Sequence, residues 1–322
     1  MIIQGGTIQG GRITDAPDSL YQFSTFTFTN ANVWGRTGPT LTNCQTSYGN
    51  ATFTWLNNSD YFTVTNGIQL WTVPRSGTYT VTAYGAQGAP TMATAGGVGA
   101  VIQGDFALVK GDKIKILVGQ SANIASARLY RDSSGGGGSF VVKNTINAPT
   151  ASDILVIAGG GAGTGSAFIS NANASITSSG KTASGGSFNG VGGTGGAGGG
   201  QSIGATANGA GGGFTGNGAS NGGNAGGRGF IFGGAGGDIN TTYAPGGGGF
   251  GGGGAPNNGD NNRMGGGGGY SGGGASDAVG NTATSTLCGG GGGSYNNGTN
   301  QSNQSDAQGN FGNGKVIVTF IG

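Results

Sequence analysis

The chain has 322 residues, a formal net charge of +2, and charged side chains at only 7% of its positions. This low charge argues against a nucleic-acid-binding surface, and the absence of histidine removes the usual general base and metal ligand. Glycine accounts for 81 residues, most of them in runs between residues 135 and 295. A block of this kind is either low-complexity disorder or is held in a conformation that only glycine can adopt.

Residues 1–15 are predicted to form an extended arm for attachment or assembly. The arm contains a near-duplication, IIQGGT followed by TIQGGR. A frayed terminus is an equally good interpretation. No basic segment followed by an apolar core is present, so a classical signal peptide is not expected. A protein acting on a virion surface or elsewhere outside the cell would then leave inside an assembled particle or by a non-classical route.

Residues 16–134 are predicted to form a β-sandwich. Phe26 and Phe28 alternate with threonine in FTFT, as do Phe53 and Trp55 in TFTW. The segments TYTVTAYG and KIKILVG show the same alternation. A two-residue apolar period with β-branched and aromatic enrichment indicates half-buried antiparallel strands.

Residues 135–310 are predicted to be a glycine-rich insertion interleaved with sandwich strands at 139–142 and 153–158. The segment 311–322 contains KVIVTF and is predicted to supply the final sandwich strand. Both ends of the glycine block would then be anchored in one core. The predicted class is all-β, with little or no α-helix.

Six blocks carry a resemblance to a known family. They are FTFTNANVWGRTGPTLTNC (26–44), GIQLWTVPRSGTYTVTAYGAQG (67–88), KILVGQ (115–120), GGGGSFVV (135–142), LVIAGGGAG (155–163) and GGGGGYSGG (265–273). In this order they resemble the glycine-rich domain of the anaplastic lymphoma kinase and leukocyte tyrosine kinase ectodomains, over about 20–322. The resemblance implies a tumour-necrosis-factor-like, jelly-roll sandwich carrying packed polyglycine II helices. That architecture is similar to the glycine-rich receptor-binding tips of some phage tail fibres.

The chain also departs from that family. Ala31 stands where the family has a cysteine that pairs with the one matching Cys44, and no kinase domain or membrane span is present. The resemblance therefore implies the fold and not cytokine-receptor function. Cys44 and Cys288 are the two cysteines. Two free thiols are favoured over a bond between them, which would require the glycine block to return to the first strands.

A polyglycine II helix has three residues per turn and no internal hydrogen bonds. Each N–H and C=O must therefore find a partner on a neighbouring helix, and a side chain at a contact would block that partner. Glycines central to the longer runs are predicted to form such a lattice. They are Gly137, Gly160, Gly199, Gly212, Gly248, Gly252, Gly267 and Gly291.

No pattern indicates an enzyme, a cofactor or a metal site. SITSSGKT at 175–182 lacks the first glycine of a phosphate-binding loop, and NNGDNNR at 257–263 is more typical of a solvated loop than of a calcium site. Aromatic residues at the ends of the glycine runs suggest either plugs of the lattice or a binding surface. These aromatics are Phe230, Phe232, Tyr243, Phe250, Tyr270 and Tyr295.

The predicted receptor-binding residues are Asn240, Tyr243, Asn257, Asn258, Tyr295 and Asn297. The resulting hypothesis is a non-enzymatic virion surface protein, a fibre-tip adhesin or capsid decoration, that binds a host glycan or protein. Residues 1–15 would contact other virion subunits, without nucleic acid or membrane insertion. The alternative is a subunit of an extracellular filament or matrix that assembles through this arm, and a homo-oligomer is left open.

Overall fold

The computed structural model describes residues 18–91, 94–122, 132–146, 148–165, 167–201, 208–220, 225–238, 247–256, 263–277 and 286–322. One α-helix occurs in these ranges, α1 (Leu41–Tyr48). The strands are β1 (Thr25–Thr29), β2 (Phe62–Thr65), β3 (Ile68–Thr72), β4 (Gly77–Tyr84), β5 (Val101–Leu108), β6 (Lys113–Leu117), β7 (Asp132–Ser133), β8 (Ser139–Lys143), β9 (Ile154–Ala158), β10 (Phe188–Asn189), β11 (Arg263–Met264), β12 (Ser276–Asp277), β13 (Tyr295–Asn296), β14 (Thr299–Gln304) and β15 (Lys315–Phe320).

These strands form three sheets. The front sheet has the order β1-β15-β4-β5-β14, the back sheet β13-β9-β8-β6-β3-β2, and a small sheet β10-β12-β11-β7. Pairing in the front and back sheets is antiparallel, whereas β11 and β7 of the small sheet run parallel. The predicted all-β class is confirmed.

The front and back sheets bury one common core. Phe28 and Tyr79 of the front sheet and Trp71 and Ile116 of the back sheet are almost completely buried in it. In β1 the phenylalanines point inward while the alternating threonines stay exposed or half-buried. Because burying an aromatic or aliphatic side chain contributes about 1.5–3 kcal/mol, this alternation is sufficient to fix which face of each strand meets the core.

The strand that follows the glycine block, β15, pairs with strands that precede the block, so both ends of the block lie at one core. β15 lies between β1 and β4, so that Thr319 is opposite both Thr25 and Thr80. β8 and β9 coincide with the two strands predicted inside the glycine-rich region. β14 is a further strand from that region, and it pairs with β5 at the other edge of the front sheet.

The expected strand at TFTW is wrong, because residues Thr54–Asn57 form a 3₁₀ turn instead. The preceding α1 was also not expected from the apolar pattern. Thr40 caps α1 through a reciprocal capping box with Asn43, and Gly49 ends it with a φ of 74°. The N–H groups of Thr52 and Phe53 both donate to the carbonyl of Gly49, so the chain turns directly into the 3₁₀ segment and does not extend into a strand.

The glycine segments are held by hydrogen bonds that repeat every third residue. The N–H groups of 265–269 donate in turn to three neighbouring segments at 2.8–3.2 Å. Gly265 and Gly268 donate to one segment, at Ser133 and Gly136. Gly266 and Gly269 donate to a second, at Gly209 and Gly212, and Gly267 donates to a third, at Gly290.

Carbonyl groups of the same run accept from three further segments. The carbonyls of residues 265, 266, 267 and 268 accept from the N–H groups of Gly163, Gly254, Gly273 and Gly160, respectively. The run therefore contacts six neighbours, and both its N–H and C=O groups return to the same neighbour after three residues. That period is the one of a polyglycine II helix, which leaves every backbone group free for a neighbour.

The lattice leaves no room for side chains at its contacts. A Cβ added to any of the eight predicted lattice glycines would come within 3.0 Å of a neighbouring backbone atom. Seven of them have no positive φ, whereas Gly252 has a φ of +83° and lies in a turn. Close approach of backbones requires glycine at the seven, and conformation adds to that requirement at Gly252.

Candidate interaction surface

An aromatic layer joins the lattice to the back sheet. Leu117, Phe140 and Ile157 point away from the sandwich core and pack against the rings of Phe214 and Phe230. The ring centroids of Phe140 and Phe230 are 5.0 Å apart, and those of Phe214 and Phe230 are 5.5 Å apart. Both faces of β8 and β9 are therefore buried, one in each core, and the lattice is packed against a fixed sheet.

This layer includes four of the six aromatics at the ends of the glycine runs, with Tyr295 partly buried against it. Phe230, Phe250 and Tyr270 are buried in it, as expected of plugs that close the lattice. Phe232 is different, because 53% of its side chain is exposed. Tyr243 lies outside the described residues.

Two of the six predicted receptor-binding residues lie in the described chain. Tyr295 is half-buried on β13, and its ring centroid is 4.6 Å from that of Tyr270. Burial, with a contribution from Tyr295, raises the pKa of the Tyr270 hydroxyl. Asn297 follows β13 and is exposed. Asn240, Tyr243, Asn257 and Asn258 lie outside the described residues.

The exposed and half-buried amide residues around Asn297 form what we call the amide surface. Its members are Asn296, Asn297, Asn300, Gln301, Asn303 and Gln304. β14 carries most of them and is the last strand of the front sheet, so its outer edge has no strand partner in the described chain. Amide groups offer a donor and an acceptor on the same planar group, which suits ligands rich in hydroxyl groups.

Several of these amides are held in place by neighbouring strands. The Asn296 side chain donates to the carbonyl of Gln103 at 2.8 Å and to the Asn303 side-chain oxygen at 2.9 Å. The Gln301 side chain donates to the carbonyl of Gly298 at 2.9 Å. A surface whose side chains are already ordered loses less entropy when it binds a partner.

A carboxylate lies beside the amide surface. Asp105 on β5 accepts hydrogen bonds from the Thr80 hydroxyl at 2.6 Å and from the Asn300 amide at 2.9 Å. These hydrogen bonds hold the pKa of Asp105 below its usual range. The group is therefore a charged acceptor at neutral pH, adjacent to exposed amides that can donate.

In this part of the chain the sequence analysis predicts only Tyr295 and Asn297 as receptor-binding residues, and it predicts no strand at Thr299–Gln304. The run TNQSNQ contains no apolar residue and therefore shows no apolar alternation. Five of its six residues are exposed, and Asn303 is half-buried. Asn300, Gln301, Asn303 and Gln304 were missed individually for that reason. The signal that could have found them is an uninterrupted run of amide and hydroxyl residues just before the final apolar strand.

A second exposed feature is a hydrophobic groove around Phe232. Two adjoining cavities, of about 560 and 390 Å³, share Asn66, Phe232 and Gly233 in their linings. Ile231 is also 37% exposed there. The groove lies between the lattice and β2, the edge strand of the back sheet.

The two cysteines are free and buried, which confirms the expectation of two free thiols. Burial raises the pKa of the Cys44 thiol to about 12, although a hydrogen bond with Tyr48 acts against this.

In the loop at 175–182, the Lys181 ammonium donates to the carbonyl of Ser170 at 3.0 Å. Across the described ranges, no three histidine, cysteine, aspartate or glutamate side chains group as metal ligands.

None of the helices in the described ranges has the length and apolar character needed to cross a bilayer.

No protein-family model matches the chain. The chain is similar to the leukocyte tyrosine kinase receptor of Mus musculus, with 32% identity over 114 residues. The match covers 34% of this chain and 12% of that receptor. This partial likeness supports a resemblance to the ectodomain type of that receptor and its relative, anaplastic lymphoma kinase.

Proposed function

We propose that the protein is a non-enzymatic recognition module that acts outside the cell and binds host-surface glycans through its amide surface. The observation that carries the proposal is the ordered set of amides on β13 and β14 beside the charged Asp105. In its finer form, the proposal is a virion surface protein: a fibre-tip adhesin or a capsid decoration.

Glycans fit this surface by chemistry. A sugar presents adjacent hydroxyl groups that each donate and accept, and exposed amides with a carboxylate match that pattern. The net gain per neutral hydrogen bond is about 0.5–1.5 kcal/mol, so a single site of this kind binds weakly. Display of several copies on one particle would raise the avidity without new contacts.

The lattice supports this role by rigidity. Every glycine of the run 265–269 is hydrogen-bonded to neighbouring segments, and the aromatic layer packs these segments against the back sheet. A rigid scaffold with recognition residues at its edge limits the ordering cost of binding.

The test is binding of the full chain to a glycan array and to intact cells. The double variant Gln301→Ala/Gln304→Ala removes two exposed amides and should weaken binding by about ten-fold or more, as expected when central contacts are truncated. Asn144→Ala is the matched control, because this exposed amide borders the Phe232 groove. Failure of the chain to bind any glycan or cell surface, or equal loss in the control, would contradict the proposal.

The second candidate function is a subunit of an extracellular filament or matrix that assembles through residues 1–15. One observation favours it: β1 is an edge strand of the front sheet. Electron microscopy of the full chain at increasing concentration separates the two functions. Polymers of the purified chain alone would favour the filament, whereas a monodisperse chain that binds cells would favour the adhesin.

A further inference from the structure

The outer edge of β1 can be assigned residue by residue. The N–H of Phe320 donates to the carbonyl of Ser24 at 2.8 Å, which makes Ser24 and Phe320 a hydrogen-bonded pair. In an antiparallel ladder such pairs alternate, so Phe26 and Phe28 also bond to β15. The backbone N–H and C=O groups of Thr25, Thr27 and Thr29 therefore point to the open edge.

One end of this edge is closed by side chains. The Tyr48 hydroxyl accepts from the N–H of Thr29 and donates to its carbonyl, both at 2.9 Å. The Gln69 side chain donates to the same carbonyl at 3.0 Å. For the outward groups of Thr25 and Thr27, the described chain supplies no hydrogen-bond partner. The edge therefore offers a short row of backbone groups that can pair with an added strand.

A groove of about 900 Å³ opens beside Thr25, at the start of this edge. Aromatic side chains form its apolar wall, including Tyr21, Phe53 and Trp55. Phe53 is 37% exposed, and its ring centroid is 5.1 Å from that of the buried Phe26. An added strand would thus find hydrogen bonds along β1 and an apolar surface for one side chain.

The N-terminal arm has a sequence suited to this groove. Residues 3–12 read IQGGT and then IQGGR, so Ile3 and Ile8 are five residues apart and each precedes Gln-Gly-Gly. An isoleucine can cover the Phe53 ring, and the glycines allow a backbone to approach closely in a narrow space. The segment contains no proline, so every N–H is available for pairing.

The described chain begins at Asp18, near the end of β5. The Asp18 carboxylate pairs with the Lys110 ammonium at 2.6 Å, and the N–H of Leu20 donates to the carbonyl of Pro74 at 2.9 Å. Lys110 follows β5, which is three strands away from β1 in the front sheet. At ~4.8 Å per strand, β5 lies about 14 Å from β1 in the front sheet, so the ion pair holds Asp18 near β5 and not along the open edge of β1.

We propose that the β1 edge at Thr25 and Thr27, with its aromatic groove, accepts residues 2–14 of a second copy of this chain as an added strand. This inference rests on the proposed assembly through the arm, and it does not depend on glycan binding. The contact joins two different surfaces of the same chain, so it propagates into a ring or a filament.

The contact can be trapped by thiol exchange between full-length chains. One chain carries Ile8→Cys, converted to a mixed disulfide with a pyridyl thiol, and the other carries Thr54→Cys in the groove wall. The thiolate introduced by Thr54→Cys attacks the arm disulfide, which forms the interchain bond and releases the pyridyl thiol. Cys44 and Cys288 are buried and do not compete. The matched control is Thr299→Cys, an exposed position on β14 at the opposite edge of the same sheet.

Crosslinked dimer should form about ten-fold faster or more with Thr54→Cys than with Thr299→Cys, because docking raises the local concentration of the two groups. Equal rates at the two positions would overturn the proposal. A chain carrying both Ile8→Cys and Thr54→Cys can be treated with one equivalent of dipyridyl disulfide, so that one thiol is activated and the other displaces the pyridyl thiol. If this chain forms only an intrachain bond, and the mixture of singly substituted chains gives no product, the arm binds its own groove and the proposal is overturned as well.

An edge variant gives the second measurement. Thr27→Pro removes one outward N–H, and proline is tolerated at the open side of an edge strand. Sedimentation velocity should show loss of self-association while near-UV circular dichroism and glycan binding stay unchanged. If this variant does not fold, Phe53→Ala decides, since it removes one ring of the apolar wall and leaves the backbone groups of β1 unchanged. Self-association that survives both Phe53→Ala and a folded Thr27→Pro variant would refute the binding of residues 2–14 at the β1 edge. Loss of glycan binding alone would count only against the proposed adhesin.

Discussion

Substitution of Gly267 by alanine tests the packing of the lattice at its centre. The added Cβ would come within 3.0 Å of three backbone atoms, two of Gly160 and one of Gly292. Backbone atoms cannot rotate away as a side chain can, so neighbouring segments must separate. The bonds at risk are those from Gly267 to Gly290, from Gly292 to Gly160 and from Gly160 to Gly268.

The expected loss of stability is about 3–5 kcal/mol. Overpacking costs ~1–3 kcal/mol, and two or three weakened hydrogen bonds cost ~0.5–1.5 kcal/mol each. The smaller entropy of the unfolded alanine chain returns only about 0.4–1 kcal/mol. The matched control is Gly200→Ala, where the nearest atom to the added Cβ is a methyl group of Val191 at 3.0 Å.

Thermal and denaturant unfolding of both variants provide the measurement. Gly267→Ala should lower Tm by roughly 5–15 °C, whereas Gly200→Ala should change it by about 3 °C or less. A Gly267→Ala protein that melts with the wild type, or with the Gly200→Ala control, would refute the reasoning that backbone contact requires glycine at that position.

Three further predictions concern the sandwich and its buried groups. Cys44 and Cys288 should resist a thiol reagent in the folded protein and both react after unfolding, because both are buried; rapid native labelling would contradict this. The free energy of unfolding should fall as the pH rises from about 9 to about 12, because the unfolded thiol of Cys44 ionises there while the folded one stays neutral. Burial of Cys288 acts in the same direction, and urea titrations across that range measure the slope. Tyr48→Phe should cost about 1–3 kcal/mol in denaturant unfolding, since it leaves the N–H of Thr29 without its partner; wild-type stability would show that water replaces the hydroxyl.

The sandwich could be predicted because its strands carry their own pattern. Alternation at Phe26 and Phe28, and at Tyr79 and Val81, states locally which side chains point inward. TFTW shows the same alternation and is nevertheless a 3₁₀ turn. The difference is set by the helix caps upstream and by the packing of Trp55 on the Tyr21 ring, whose centroid is 5.2 Å away. Such a contact is not encoded in the spacing of apolar residues.

The register of the lattice could not be predicted from sequence. Glycine carries no side chain, so nothing in GGGGG indicates that Gly267 bonds to Gly290 while its neighbour Gly266 bonds to Gly209. The partners are set by the way the sheets and the aromatic layer position the ends of each segment. The amide surface was only partly located for a related reason. β14 has polar side chains on both faces and therefore resembles a turn in sequence.

Amide hydrogen exchange of the full chain tests the central point, that the glycine block is a hydrogen-bonded scaffold. The N–H groups of 265–269 all donate to neighbouring segments. They should therefore exchange about as slowly as those of β4 and β15, through global unfolding and not local opening. Exchange of these glycines within seconds at neutral pH, while β4 and β15 remain protected, would contradict the account.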